Sequence, residues 1–212
     1  MEYKGFNIKI ETDGDPADPR EWDNLGTMIC FHSRYNLGDK TNYNHDDYNS
    51  WSELLEDIKK KDNPAIVLPL YLYDHSGLRM KVGSFAGFLP QGHAEFDSGQ
   101  VGFIIATKKA IKESFMVKKI IKKTLAKAEK ILRGEIETYD DYLSGNVFGF
   151  IVEDEEGENI DSCHGFYGEA GEKNAIAEAK SIIDNRVEEL QRKKEAKTRA
   201  YIKNKVPLLV RL

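Results

Sequence analysis

Ala65-Ile66-Val67-Leu68-Pro69-Leu70-Tyr71-Leu72-Tyr73 is the most apolar run of the chain and reads as a central β-strand. Asn63-Pro64 precedes it and Asp74-His75-Ser76-Gly77 follows it, both strings of turn formers. Pro69 has no N–H to give to a ladder, so its place inside the strand requires a bulge or one unpaired edge. Outward from this strand, residues 78–82 and 100–106 read as further strands, with a loop over 83–99 between them. Upstream, Ser50 caps a helix over 51–61, and Glu53 at its third position completes a capping-box pattern. Residues 25–32 are apolar and compatible with a strand. Residues 3–12 set Phe6, Ile8 and Ile10 on one side and Asn7, Lys9 and Glu11 on the other, the period of a half-buried strand. Loops follow over 13–20 and 34–50, the second long enough to suggest a function.

Downstream, Thr107 caps a basic helical region over 108–133, with a break near Ser114 and Phe115. Gly134 reads as its C-cap, and Thr138 as the cap of a short helix over 139–143 closed by Gly145. Residues 147–152 and 160–166 flank an acidic turn and read as a hairpin. A last long helix spans about 172–204, with Ala175, Ala179, Ile182, Ile183, Val187 and Leu190 facing inward. The order predicts an α+β fold: a mixed, mostly antiparallel sheet covered by helices, with a long C-terminal helix. The expected organisation is a single domain, 1–212, with a core over about 1–190. Residues 191–212 form a charged helix end and an apolar tail suited to an edge strand or to oligomerisation.

The chain has 212 residues, 40% of them hydrophobic and 32% charged, an ordinary globular composition. No apolar run approaches the ~20 residues that cross a bilayer, and the N-terminus has no signal-peptide core. These features point to the cytoplasm, with no membrane partner. Two cysteines, Cys30 and Cys163, make neither a disulfide framework nor a structural zinc site. The net charge of −5 is segregated: residues 108–133 carry +8, whereas residues 134–168 carry ten acidic groups and no lysine or arginine.

Against this background three candidate sites stand out. Arg20, Trp22, Asp23 and Asn24 sit in a loop dense in charge and turn formers, and Tyr35 sits in the next; both suit a ligand or partner, with a structural loop whose Asp and Asn side chains satisfy their own backbone as the alternative for the first. His32, Asp74, His75, Asp97, Cys163 and His164 lie at expected strand ends, where convergence would build a catalytic site. No metal-ligand spacing supports that set, and GxSxG, Walker A and GxGxxG are absent. Cys163 and His164, adjacent on a strand, point to opposite faces and make no catalytic pair. The third candidate is Glu153, Asp154, Glu155 and Glu156, an acidic turn able to copy the charge of a nucleic acid, or simply a solubilising hairpin. The lysines of 108–133 read as a solvated helix face, with direct nucleic-acid binding as the alternative.

Several stretches together resemble one family. They are Pro19-Arg20-Glu21-Trp22-Asp23-Asn24-Leu25-Gly26-Thr27-Met28, His32 with Tyr35-Asn36-Leu37-Gly38-Asp39, and Leu68-Pro69-Leu70-Tyr71-Leu72-Tyr73-Asp74-His75-Ser76-Gly77. Further on come Asp97-Ser98-Gly99-Gln100-Val101-Gly102-Phe103-Ile104, Gly134-Glu135-Ile136-Glu137-Thr138-Tyr139-Asp140 and Asp161-Ser162-Cys163-His164-Gly165-Phe166-Tyr167-Gly168. The pattern resembles a group of hypothetical proteins of bacteriophages and mobile elements, over roughly residues 10–170. Phe96 and His164 stand where that pattern usually carries tryptophan. The resemblance implies a phage origin and carries over no catalytic residue. By genomic analogy it implies an accessory binding protein, without a cofactor, that inhibits a host defence system such as CRISPR–Cas by protein contact. The expected partner is a host defence protein or a nucleic-acid-processing complex. The alternative is a metal- or nucleotide-dependent enzyme, or a nucleotide-binding module, built on the strand-end cluster.

Overall fold

The computed structural model describes residues 1–88 and 96–205. The expected apolar tail, 206–212, and residues 89–95 of the loop expected over 83–99 lie outside the described residues. The strands are β1 (Glu2–Tyr3), β2 (Phe6–Thr12), β3 (Thr27–Cys30), β4 (Pro64–Asp74), β5 (Leu78–Val82), β6 (Ser98–Thr107), β7 (Val147–Glu153) and β8 (Asn159–Tyr167). The helices are α1 (Trp51–Asp62), α2 (Lys108–Ser114), α3 (Lys122–Leu143) and α4 (Gly168–Lys205). The fold is α+β, with every strand pairing antiparallel. The strands divide between two four-stranded sheets, ordered β1-β2-β7-β8 and β3-β6-β4-β5. The chain forms two compact units: residues 1–15 with 147–212, and residues 16–146.

In the unit of residues 16–146 the sheet is covered on both faces. Met28, Leu70, Leu72, Met80 and Ile104 pack with Ala128, Leu132, Ile136 and Tyr139 of α3. On the other face Ile29, Phe103 and Ile105 pack with Leu54 and Ile58 of α1. Strand β6 is therefore buried on both sides from Val101 to Ala106, which is why it reads as a continuous apolar run rather than an alternation. Strand β4 lies between β6 and β5, and Pro69 meets both expectations for it. Its carbonyl accepts from Gly83, just beyond the end of β5, so the missing N–H faces no ladder partner. A register shift against β6 follows at Leu70 and Tyr71.

Helix α1 starts as its sequence predicts. The Ser50 hydroxyl accepts from the Glu53 amide at 3.2 Å, while the Glu53 carboxylate bonds the Asn49 amide at 2.8 Å, one residue before the cap amide that a capping box would use. The basic region breaks after Ser114 as expected. Helix α3, however, passes through Gly134, and Thr138 caps nothing: its hydroxyl donates to the Gly134 carbonyl inside the helix. The reason is the apolar stripe Ala128, Leu132, Ile136 and Tyr139, whose burial continues across the glycine and outweighs its cost of about 1 kcal/mol. The end comes at Gly145, left-handed at φ 69°, where the Gly145 and Asn146 amides donate to Tyr142 and Asp141.

The other unit lays α4 against one sheet. Ile8, Phe150 and Val152 pack with Ala175, Ala179 and Ile183, and Ile182 and Val187 join at the margin. Leu190, expected to face inward, is 40% exposed, and α4 is exposed from there to Lys205. The helix begins at Gly168, one turn before the expected start. The single strand expected over 3–12 is two, because Lys4 and Gly5 adopt φ of 51° and 83°, the left-handed pair of a two-residue hairpin turn.

Candidate functional site

Strands β3 and β4 end where β5 and β6 begin, because Tyr73 pairs with Ser98 and Asp74 with Leu78. That shared end of the sheet gathers four of the six strand-end candidates. The Asp74 amide donates to the Asp97 carbonyl at 2.9 Å. The Asp74 carboxylate is bonded by Arg34 and lies 4.0 Å from His32 Nε2. His75 Nδ1 stands 3.3 Å from the Asp97 carboxylate, and its ring stacks beside Tyr73. His32 Nδ1 accepts from the Arg34 amide at 3.2 Å, so its neutral ring carries the proton on Nε2, toward Asp74. Tyr35, 37% exposed, stacks on His32 at 5.0 Å. These rings open onto a groove of about 720 Å³ also lined by Cys30, Phe31, Asn36 and Lys40. Burial first, then the Asp39 charge, pushes the Cys30 thiol up to about 12, so it is no nucleophile there. No group of three His, Cys, Asp or Glu side chains among the described residues is placed to hold a metal ion.

Cys163 and His164 belong to the other unit. His164 Nε2 stands 2.9 Å from the Glu11 carboxylate, and its imidazole lies over Gly149, where a Cβ would collide with the ring. The register shift between β7 and β8 at this point is a bulge, and the His164 side chain stays 40% exposed. Cys163 is exposed, with its thiol 3.7 Å from the His164 carbonyl.

Arg20 is held inside its own unit. Its guanidinium bonds Asp39 through Nε (2.8 Å) and Nη2 (2.9 Å), Glu135 through Nη1 (3.3 Å) and the Gly26 carbonyl through Nη2 (2.8 Å). Burial works against its charge, but Asp39 and then Glu135 outweigh it and raise its pKa. Burial likewise raises the Glu135 carboxyl, against the Leu25 amide and Arg20 that pull it down. Asn24 donates to the Pro19 and Trp22 carbonyls, closing the loop. Trp22, 47% exposed, and Asp23 stand outward on it. Asp39, Glu135 and Arg34 escaped the sequence reading. Their partners lie 19, 115 and 40 positions away, beyond any local spacing rule.

The β7–β8 turn sorts its acids into two kinds. Glu153 is bonded by Lys9, with Asn7 at 3.5 Å, and the Asp154 carboxylate caps the turn by accepting from the Glu156 and Glu158 amides at 2.9 Å. Glu155, Glu156 and Glu158 are exposed and, among the described residues, make no ion pair. The turn borders a groove of about 1070 Å³ with Phe6, Val187 and Leu190 at its base and Lys194 and Arg199 on α4.

No protein-family model, no curated protein and no solved structure matches this chain. No helix among the described residues is long and apolar enough to cross a membrane.

Proposed function

We propose that this chain is a non-enzymatic accessory factor of a phage or mobile element that inhibits a host defence assembly, such as a CRISPR–Cas effector, by protein contact. The observation that carries the reading is the β7–β8 turn. Its backbone is stiffened by Asp154 while Glu155, Glu156 and Glu158 are left free to face a basic cleft. A rigid row of carboxylates presents charge to a nucleic-acid-binding surface with little ordering cost. The test is phage plaquing on a host with an active, targeting defence. Expression of the wild-type chain raises the titre; E155K/E156K/E158K, which spares the structural Glu153 and Asp154, abolishes the gain. A wild-type chain without effect overturns the inhibitor reading, and a fully active triple variant overturns the acidic mechanism.

A second reading, an enzyme or nucleotide-binding module, is favoured by two His–Asp pairs, His32–Asp74 and His75–Asp97, at one end of the sheet, with His32 lining an aromatic groove. Its test is a nucleotide or other small molecule released on denaturing the purified protein, and its loss in His32→Ala. A clean extract and an unaltered variant count against it.

A further inference from the structure

Helices α2 and α3 and the turn between them expose Lys109, Lys112, Lys118, Lys119, Lys122, Lys123, Lys127 and Lys130. None of these eight has an acidic partner among the ion pairs of the described residues. On α4 the signs are interleaved: Arg186, Arg192, Lys193 and Arg199 each face a glutamate three or four residues away, although Lys173, Lys194 and Lys197 make no ion pair among the described residues. A lysine row left unneutralised on one surface is an electrostatic footprint rather than an ordinary salt-bridged helix.

We infer that this lysine face binds the phosphate backbone of duplex nucleic acid. Lys123, Lys127 and Lys130 are spaced i, i+4, i+7, so they share one side of α3. The face runs parallel to the apolar stripe that anchors the helix to the core. At 1.5 Å rise the row spans about 10 Å, close to three base-pair steps of 3.4 Å. The region holds a single arginine, Arg133, already paired with Glu129 at 2.7 Å, and a single aromatic ring, Phe115, packed on the core. Ammonium groups without guanidinium forks or stacking rings contact phosphates and read no bases, so the binding is independent of sequence. An anionic bilayer fits less well. The apolar stripe of α3 faces the core, leaving only the scattered Met116, Ile121 and Ile131 exposed here rather than a continuous apolar face. The face belongs to the unit of residues 16–146 and the acidic turn to the other unit, and the test of the face needs no defence partner.

The experiment is fluorescence anisotropy of the full chain with a labelled 20-base-pair duplex across a salt series. Binding is expected at low salt and should weaken steeply as salt rises. The triple variant K123A/K127A/K130A is expected to bind at least about tenfold more weakly, with a log–log salt slope shallower by about 3, and K127A alone by about 1. Alanine keeps helix propensity, and an unchanged thermal melt separates lost contact from lost fold. K59A/K60A on α1, two exposed lysines outside both this face and the acidic turn, is the control and should bind as wild type. No binding at low salt, an unaffected triple variant, or sedimentation with phosphatidylserine vesicles without duplex binding each overturns the inference.

Discussion

Arg20 and Asp39 face each other through two parallel hydrogen bonds, with only 3% of the arginine side chain exposed. Glu135 closes the third side, and its carboxylate also accepts from the Leu25 and Gly26 amides. Asp39 in turn accepts from the Met28 amide at 2.7 Å. The network thus ties the loop before β3, the loop after it and the middle of α3 into one polar joint. Residues 19–28, 35–39 and 134–140 meet here, and the joint explains Arg20, Asp39 and Glu135 as architecture.

Arg20→Ala and Asp39→Ala should each destabilise the fold by about 3–5 kcal/mol, because each strips a buried charge of its two-bond partner, leaving Asp39 without its cation or Arg20 with only the longer Glu135 contact. The double variant should cost less than the sum. Urea unfolding midpoints measure this; single variants within 1 kcal/mol of wild type, or strict additivity, would show that the pair is not coupled.

Tyr139 predicts an alkaline limit. Its hydroxyl accepts from the Gly38 amide at 3.1 Å, and burial pushes its pKa up to about 12. A pKa raised in the folded state means that the unfolded chain loses its proton first, near the ordinary value of about 10. The contribution of Tyr139 is therefore complete below about 10 and is lost as pH rises through about 12. Tyr139→Phe should cost about 1–3 kcal/mol at neutral pH by leaving the Gly38 amide unpaired, and should flatten the fall in stability above pH 10. A variant with the wild-type alkaline profile would assign that fall to other groups.

The two cysteines should differ in reactivity. Cys163 is exposed, whereas the half-buried Cys30 has a thiol held up to about 12. At pH 8 the native protein should take up one equivalent of a thiol-specific disulfide reagent rapidly, and a second only in denaturant. Two fast equivalents would mean that Cys30 is reached through the groove beside His32.

Gly149→Ala should destabilise by about 1–3 kcal/mol, since the new methyl meets the His164 ring. Adding His164→Ala should recover most of that loss. Thermal melts of the two singles and the double measure the coupling; a double variant no better than Gly149→Ala would place the strain in the backbone.

What the sequence by itself determined was local. The capping pair Ser50 and Glu53, the strand with Pro69, the break after Ser114 and the acidic hairpin all depend on neighbours within a few residues, where propensity, caps and turns act. Tertiary structure decided the rest. Gly134 remains helical because Ile136 and Tyr139 beyond it reach the core, an energy no local pattern contains. Asp154 caps its turn locally, but Glu153 separates from the free Glu155 and Glu156 only once β2 brings Lys9 alongside. Arg20 reads as an exposed ligand-binding group in the chain and proves to be a buried tie, because Asp39 and Glu135 come to it only through the fold. Of the strand-end set, His32, Asp74, His75 and Asp97 are brought to one end of one sheet by antiparallel register, while Cys163 and His164 belong to the sheet of the other unit. Pairing between strands far apart in sequence, rather than the residue types themselves, made that division.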